Sequence, residues 1–144
     1  MRSVTEETAL RRGFTIIELL IVLVIIAALA AIAVPQFTTV KTKSFDAEAK
    51  ADLRNMLAAE EVYFSEAQAF TNVVVPTGGL YDLDSDGIFD YQASQGVDVA
   101  VTAYTDGIQI TAKHVSSPNT WCVNSSATQN SYGTPGAIVK APGC

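Results

Sequence analysis

Hydrophobic positions change their rhythm along this 144-residue chain. From Leu19 to Val34 no side chain is polar. From Thr38 to Phe70 apolar residues return every three or four positions, at Phe45, Ala49, Leu53, Met56, Ala59, Tyr63, Ala67 and Phe70. Lys43, Glu48, Lys50, Asp52, Arg54, Glu60 and Glu66 lie between them, and neither Gly nor Pro interrupts the stretch. That spacing is helical. Together the two regimes predict one helix from about Phe14 to about Ala69, which would span roughly 80 Å at the helical rise. From Val97 the period drops to two. Val97, Val99, Val101 and Ala103 alternate with Asp98, Ala100, Thr102 and Tyr104, and Ile108, Ile110 and Ala112 resume the pattern after Thr105-Asp106-Gly107, a hairpin turn signal. Residues 119–123 (NTWCV) can form a third strand, with Trp121 as core or subunit contact, whereas residues 71–96 read as an irregular connection. His114, the single histidine, falls just past the second strand and reads as a surface residue and a poor metal ligand.

A helix with an apolar stripe needs a sheet to cover it. The expected class is therefore α+β: one long N-terminal helix whose second half packs on a small antiparallel sheet. The first half is apolar on every side and about long enough to cross a bilayer. Arg2, Arg11 and Arg12 precede it and Lys41 and Lys43 follow it, which favours a cytoplasmic N-terminus.

Length and apolarity alone admit a cleaved signal peptide, with Ala31-Ile32-Ala33 as the small-x-small site, or a plain anchor. Neither explains Glu18 inside the apolar stretch, because a lone intramembrane acid usually marks function or a partner. Cleavage after Ala33 would also cut through patterning that continues as helix.

The residues Gly13-Phe14-Thr15-Ile16-Ile17-Glu18, followed by the apolar run, resemble the processing and assembly motif of type IV pilins. A short charged leader ends in glycine, phenylalanine follows, and glutamate stands at the fifth mature position; Pro35 takes the twenty-second, where many pilins carry proline. The resemblance covers about 25 residues, and type II secretion pseudopilins and minor pilins share it. It implies a pilin fold with residues 1–13 as prepilin leader, 14–37 as transmembrane and assembly helix, and 38–144 as globular domain. It implies cleavage between Gly13 and Phe14 by a prepilin peptidase, N-methylation of Phe14, and extraction of subunits from the inner membrane by pilus assembly machinery. The product is a homo-oligomeric helical filament on the cell surface. Glu18 would pair with the Phe14 ammonium of a neighbour or its own, fixing the register of helices that otherwise slide. In pilins the segment before the proline often loses helical structure within the filament, and Ala27, Ala28, Ala30, Ala31 and Ala33 make that segment suited to close helix contacts.

A second motif is Asp82-Leu83-Asp84-Ser85-Asp86-Gly87-Ile88-Phe89-Asp90. The D-x-D-x-D-G pattern is the first half of a calcium loop. Asp82, Asp84 and Asp86 would give oxygens, Gly87 the sharp turn, Ile88 its carbonyl, and Asp90 a direct or water-mediated ligand. Position twelve is Ala93 rather than the bidentate Glu, and Asp98 could substitute only from a distance, so the loop is either a structural calcium site or a solvated acidic turn.

Cys122 and Cys144, the only cysteines, suit one disulfide in an extracytoplasmic setting or a pair of buried thiols. As a disulfide they would close a polar C-terminal loop, worth roughly 3 kcal/mol by the chain-entropy account. In pilins such a loop lies on the filament surface. Asn124-Ser125-Ser126 matches an N-glycosylation sequon.

Net charge is −6. Removing the leader takes away Arg2, Arg11, Arg12, Glu6 and Glu7, leaving 6 basic against 13 acidic residues. That balance disfavours a general nucleic-acid surface and hence a DNA-binding minor pilin. No catalytic constellation is legible, so the expectation is a structural subunit, not an enzyme. Adhesion, twitching motility or DNA uptake would be properties of the filament.

Overall fold

A computed structural model describes residues 13–126 and 135–142. Its elements are α1 (Ile16–Ala67), β1 (Val73–Val75), β2 (Leu80–Tyr81), β3 (Tyr91–Gln92), β4 (Val97–Tyr104), β5 (Gly107–His114), β6 (Thr120–Asn124) and β7 (Ile138–Lys140). The chain divides into two compact units, residues 1–38 and 39–144.

In the first unit α1 begins at Ile16, and every residue from 13 to 38 is exposed. By length and composition this helix can cross a membrane. Pro35 sits inside it without ending it, and Thr38 Oγ1 donates to the Pro35 carbonyl at 2.9 Å.

In the second unit the rest of α1 packs on a five-stranded antiparallel sheet of order β1-β4-β5-β6-β7, so the fold is α+β as the patterning predicts. Ala49, Leu53 and Met56 are buried against Val97, Val99 and Val101 of β4, Ile108, Ile110 and Ala112 of β5, and Val123 of β6. The predicted hairpin is present, with Tyr104 opposite Gly107 across the two-residue turn Thr105-Asp106. A Cβ at Gly107 would lie 2.6 Å from the Ser126 backbone nitrogen, so only glycine lets that segment pass. The third strand is also found, as β6.

Several expectations need correction. Residues 71–96 are not irregular throughout: β1 pairs with β4, and β2 and β3 form a separate hairpin. Strands of two or three residues are too short for alternation to be read, although Val73-Val74-Val75 is a β-branched run. The polar C-terminal stretch contributes β7, which pairs with β6 through Cys122 opposite Val139. The helix ends at Ala67, two residues early, because Gln68 adopts a left-handed φ of 54°. Asp52 and Glu60, read as charges beside the stripe, are buried, and so is Asp46. His114 is buried rather than on the surface. The Asn124 side chain is buried too, with Nδ2 sealed from solvent, so this fold does not present the sequon for glycosylation.

Candidate assembly site

The local sequence at the start of α1 determines how Glu18 is held. Thr15 is the last residue before the helix. Its hydroxyl accepts the Glu18 backbone N–H at 3.3 Å, and Glu18 Oε2 accepts the Thr15 N–H at 3.2 Å and the Thr15 hydroxyl at 3.0 Å. This is a reciprocal capping box, Thr15-Ile16-Ile17-Glu18 being its T-x-x-E signature. A carboxylate in the first turn also meets the positive end of the helix dipole. Thr15 thus belongs to the site, and the signature was available in the sequence. The described hydrogen bonds to the Glu18 carboxylate both use Oε2.

Gly13 and Phe14 precede the helix and are exposed, Phe14 by 78%. The scissile bond of the proposed cleavage therefore lies outside the capped helix. Residues 1–12 of the expected leader lie outside the described residues. Beyond Glu18, Leu19, Leu23, Ile26, Leu29, Ile32 and Phe37 are exposed all round the helix. A helix that is hydrophobic on every side is stable only when lipid or protein covers it.

The acidic motif forms the loop between β2 and β3. One oxygen from each of Asp82, Asp84 and Asp86 lies within 4.8 Å of the others. Asp82 accepts N–H groups from Ser85 (2.6 Å) and Gly87 (2.8 Å), Asp84 accepts from Asp86 (3.0 Å), and Asp86 accepts from Ile88 (2.7 Å). Gly87 has φ +89°, the conformation the motif requires. Asp90 is not in the cluster: its Oδ2 accepts the Leu83 N–H at 2.7 Å and closes the base of the loop. Asp98 is engaged elsewhere, accepting the Thr77 N–H at 2.9 Å, and Ala93 is buried in the core. The electrostatics are those of a crowded group. Partial desolvation raises the Asp82 carboxyl, but the Gly87 and Ser85 N–H groups outweigh it and hold it below the ordinary carboxylate range. At Asp84 the Asp86 N–H lowers the carboxyl, but desolvation and repulsion from Asp86 and Asp90 push it above that range. Three clustered carboxylate oxygens fit a hard divalent cation, and Asp90 is not one of the three.

Cys122 is buried on β6, and no free cysteine occurs among the described residues. Cys144, its expected partner, lies outside them.

Comparison with known proteins bears on the same N-terminal segment. The family described as the prokaryotic N-terminal methylation motif matches residues 9–34. The chain is 44% identical over 61 residues to the type IV major pilin protein PilA of Myxococcus xanthus (strain DK1622), covering 42% of this chain and 28% of that one. It is 33% identical over 73 residues to two fimbrial proteins of Pseudomonas aeruginosa, covering 51% of this chain and 47% of each. The chain thus spans less than half the length of the curated relatives it matches. Motif and relatives support a type IV pilin over this N-terminal segment. The motif and the apolar helix fit an inner-membrane precursor that later stands in a surface pilus.

Proposed function

We propose that this chain is a pilus subunit, made as an inner-membrane precursor, cut between Gly13 and Phe14, methylated on Phe14, and polymerised through its apolar helix into a surface filament. The observation that carries this reading is a helix apolar and exposed on every side, headed by Gly13-Phe14 and the capped Glu18. Lipid covers it before assembly and copies of itself cover it afterwards. Glu18 then meets the ammonium created at Phe14. That attraction is weakly screened in an apolar core, and an unpaired buried charge costs on the order of 3–5 kcal/mol. Pro35 and the alanines before it give the helix a segment that can loosen and pack closely. A Cys122–Cys144 disulfide would hold the C-terminal loop on the outside, where the filament's contacts in adhesion, twitching or DNA uptake would be made.

Mass spectrometry of the mature chain tests the processing step: the reading expects a methylated Phe14 at the N-terminus, and a start at Val34 would restore a signal peptide. Electron microscopy tests the assembly. Long extracellular filaments are expected; short periplasmic ones would favour a type II secretion pseudopilin instead. The acidic loop is what favours that second reading.

The same loop is our proposed structural calcium site, with Asp82, Asp84 and Asp86 as ligands; the cation would offset the repulsion that raises Asp84. Removing calcium with EGTA should lower the melting temperature by a few degrees, an effect of roughly 1 kcal/mol, and excess calcium should restore it. A melting temperature indifferent to both treatments would remove the calcium.

A further inference from the structure

The turn between β5 and β6 is fastened to α1 by two groups the assembly reading does not use. Asp46 accepts hydrogen bonds from Ser117 Oγ at 2.6 Å and Asn119 Nδ2 at 2.7 Å. His114 lies flat on Phe45, with ring centroids 4.1 Å apart and 15° between planes. Its Nδ1 accepts the Ser116 N–H at 3.0 Å, and its Nε2 faces Glu48 Oε2 at 3.5 Å. Gly96 closes the pocket, since a Cβ there would lie 2.6 Å from Nε2. The charged groups around the ring come from α1: Glu48 directly, Lys41 over the Phe45 ring with Nζ 5.7 Å from its centroid, and Asp46, which accepts from the turn. On β4 the register partner is the uncharged Val97.

A ring nitrogen that accepts a hydrogen bond carries no proton. His114 in this geometry is therefore the neutral imidazole with its hydrogen on Nε2, towards Glu48. A second proton can enter only at Nδ1, where it meets the Ser116 N–H head-on. We propose that His114 is a proton-operated latch on the 115–119 turn, closed while the ring is neutral and released when a second proton enters at Nδ1. Two effects compete on protonation. Glu48 gains an ion pair with a ring that is 7% exposed, but its own side chain is 46% exposed, so solvent screens the gain. Against that, Ser116 loses its acceptor and a new N–H is trapped facing a donor, an effect of about tenfold or more. Release wins.

The test uses the full chain in detergent micelles. Nitrogen-15 NMR of the ring should find Nδ1 unprotonated at pH 7.5. Hydrogen exchange of the Ser116 amide, corrected for intrinsic pH dependence, should lose about tenfold in protection by pH 5.0, while β4–β5 ladder amides hold theirs. The non-titrating His114→Gln should abolish the step. A protonated Nδ1 at pH 7.5, equal Ser116 protection at both pH values, or an undiminished step in His114→Gln would overturn the latch. Should His114→Gln fail to fold, the two wild-type readings decide alone.

Discussion

The two halves of α1 give their carboxylates hydrogen-bond partners in opposite ways. In the first, Glu18 lies on an exposed helix and takes its hydrogen bonds from Thr15, three residues away. In the second, Asp46, Asp52 and Glu60 are 8%, 1% and 0% exposed and take theirs from returning loops. Ser94 gives Asp52 its N–H and hydroxyl, both at 2.8 Å; Thr71 gives Glu60 its N–H at 3.0 Å and its hydroxyl; Ser117 and Asn119 serve Asp46. These donors lie 11 to 73 residues away in sequence. A local partner can be exchanged without unfolding anything, which suits an acid that changes partners in the proposed assembly. Partners recruited from distant loops cannot be exchanged without loosening the domain. The first arrangement is built for transfer, the second for fastening.

The comparison breaks most visibly at Glu18. Glu18→Ala should leave a membrane-inserted, processed chain with sheared-filament yield below about a tenth of wild type, since the proposed buried pair with the Phe14 ammonium would lose one partner. Normal yield would show that the acid does not set register. The next largest effect tests the fastening half. Asp52→Ala strands the Ser94 N–H and hydroxyl, and denaturant unfolding of the full chain in detergent should find it about 2–3 kcal/mol less stable, with processing unaffected. A loss under about 0.5 kcal/mol would mean that the loop holds without the helix acid.

Much of this was legible because the period is legible. Ala49, Leu53 and Met56, and Val97, Val99 and Val101, declare their faces by spacing. His114 was legible in the same terms and was misread: Ile108, Ile110 and Ala112 face inward, and position 114 is next in phase. The helix acids were not legible. Asp52 and Glu60 sit beside the apolar stripe as any solvated charge would, and their donors are ordinary loop residues whose approach depends on the sheet. β7 and the β2–β3 hairpin escaped because two or three residues carry no period. The cluster of Asp82, Asp84 and Asp86 could be read from its motif, whereas the withdrawal of Asp90 to close the loop on Leu83 depends on backbone geometry.

A smaller effect sharpens the transfer half. Thr15→Val keeps the shape and removes the hydroxyl, so the first turn should lose about 1 kcal/mol of capping. Exchange of the Glu18 amide should quicken several-fold and filament yield should fall in part, with Thr15→Ser restoring both. Unchanged exchange in Thr15→Val would mean that the helix starts without its cap.

The smallest effect concerns acid, and its sign follows from Asp46. Burial raises that carboxyl, but hydrogen bonds from Ser117 and Asn119 and the charge of Lys50 outweigh it, so its pKa is lowered on folding. A lowered carboxylate contributes stability above its unfolded pKa, about 3.9. The contribution fades as pH falls through the lower folded value, because the unfolded chain takes up the proton first. Wild type should therefore lose stability below about pH 4 more steeply than Asp46→Asn, which has no proton to bind. The two curves should run parallel between pH 5 and 7, where the Asp46 carboxyl is ionised in the folded and the unfolded chain alike. Parallel curves below pH 4 as well would mean that the Ser117 and Asn119 bonds hold the turn equally well without a charge, and the fastening half of α1 would rest on hydrogen bonding alone.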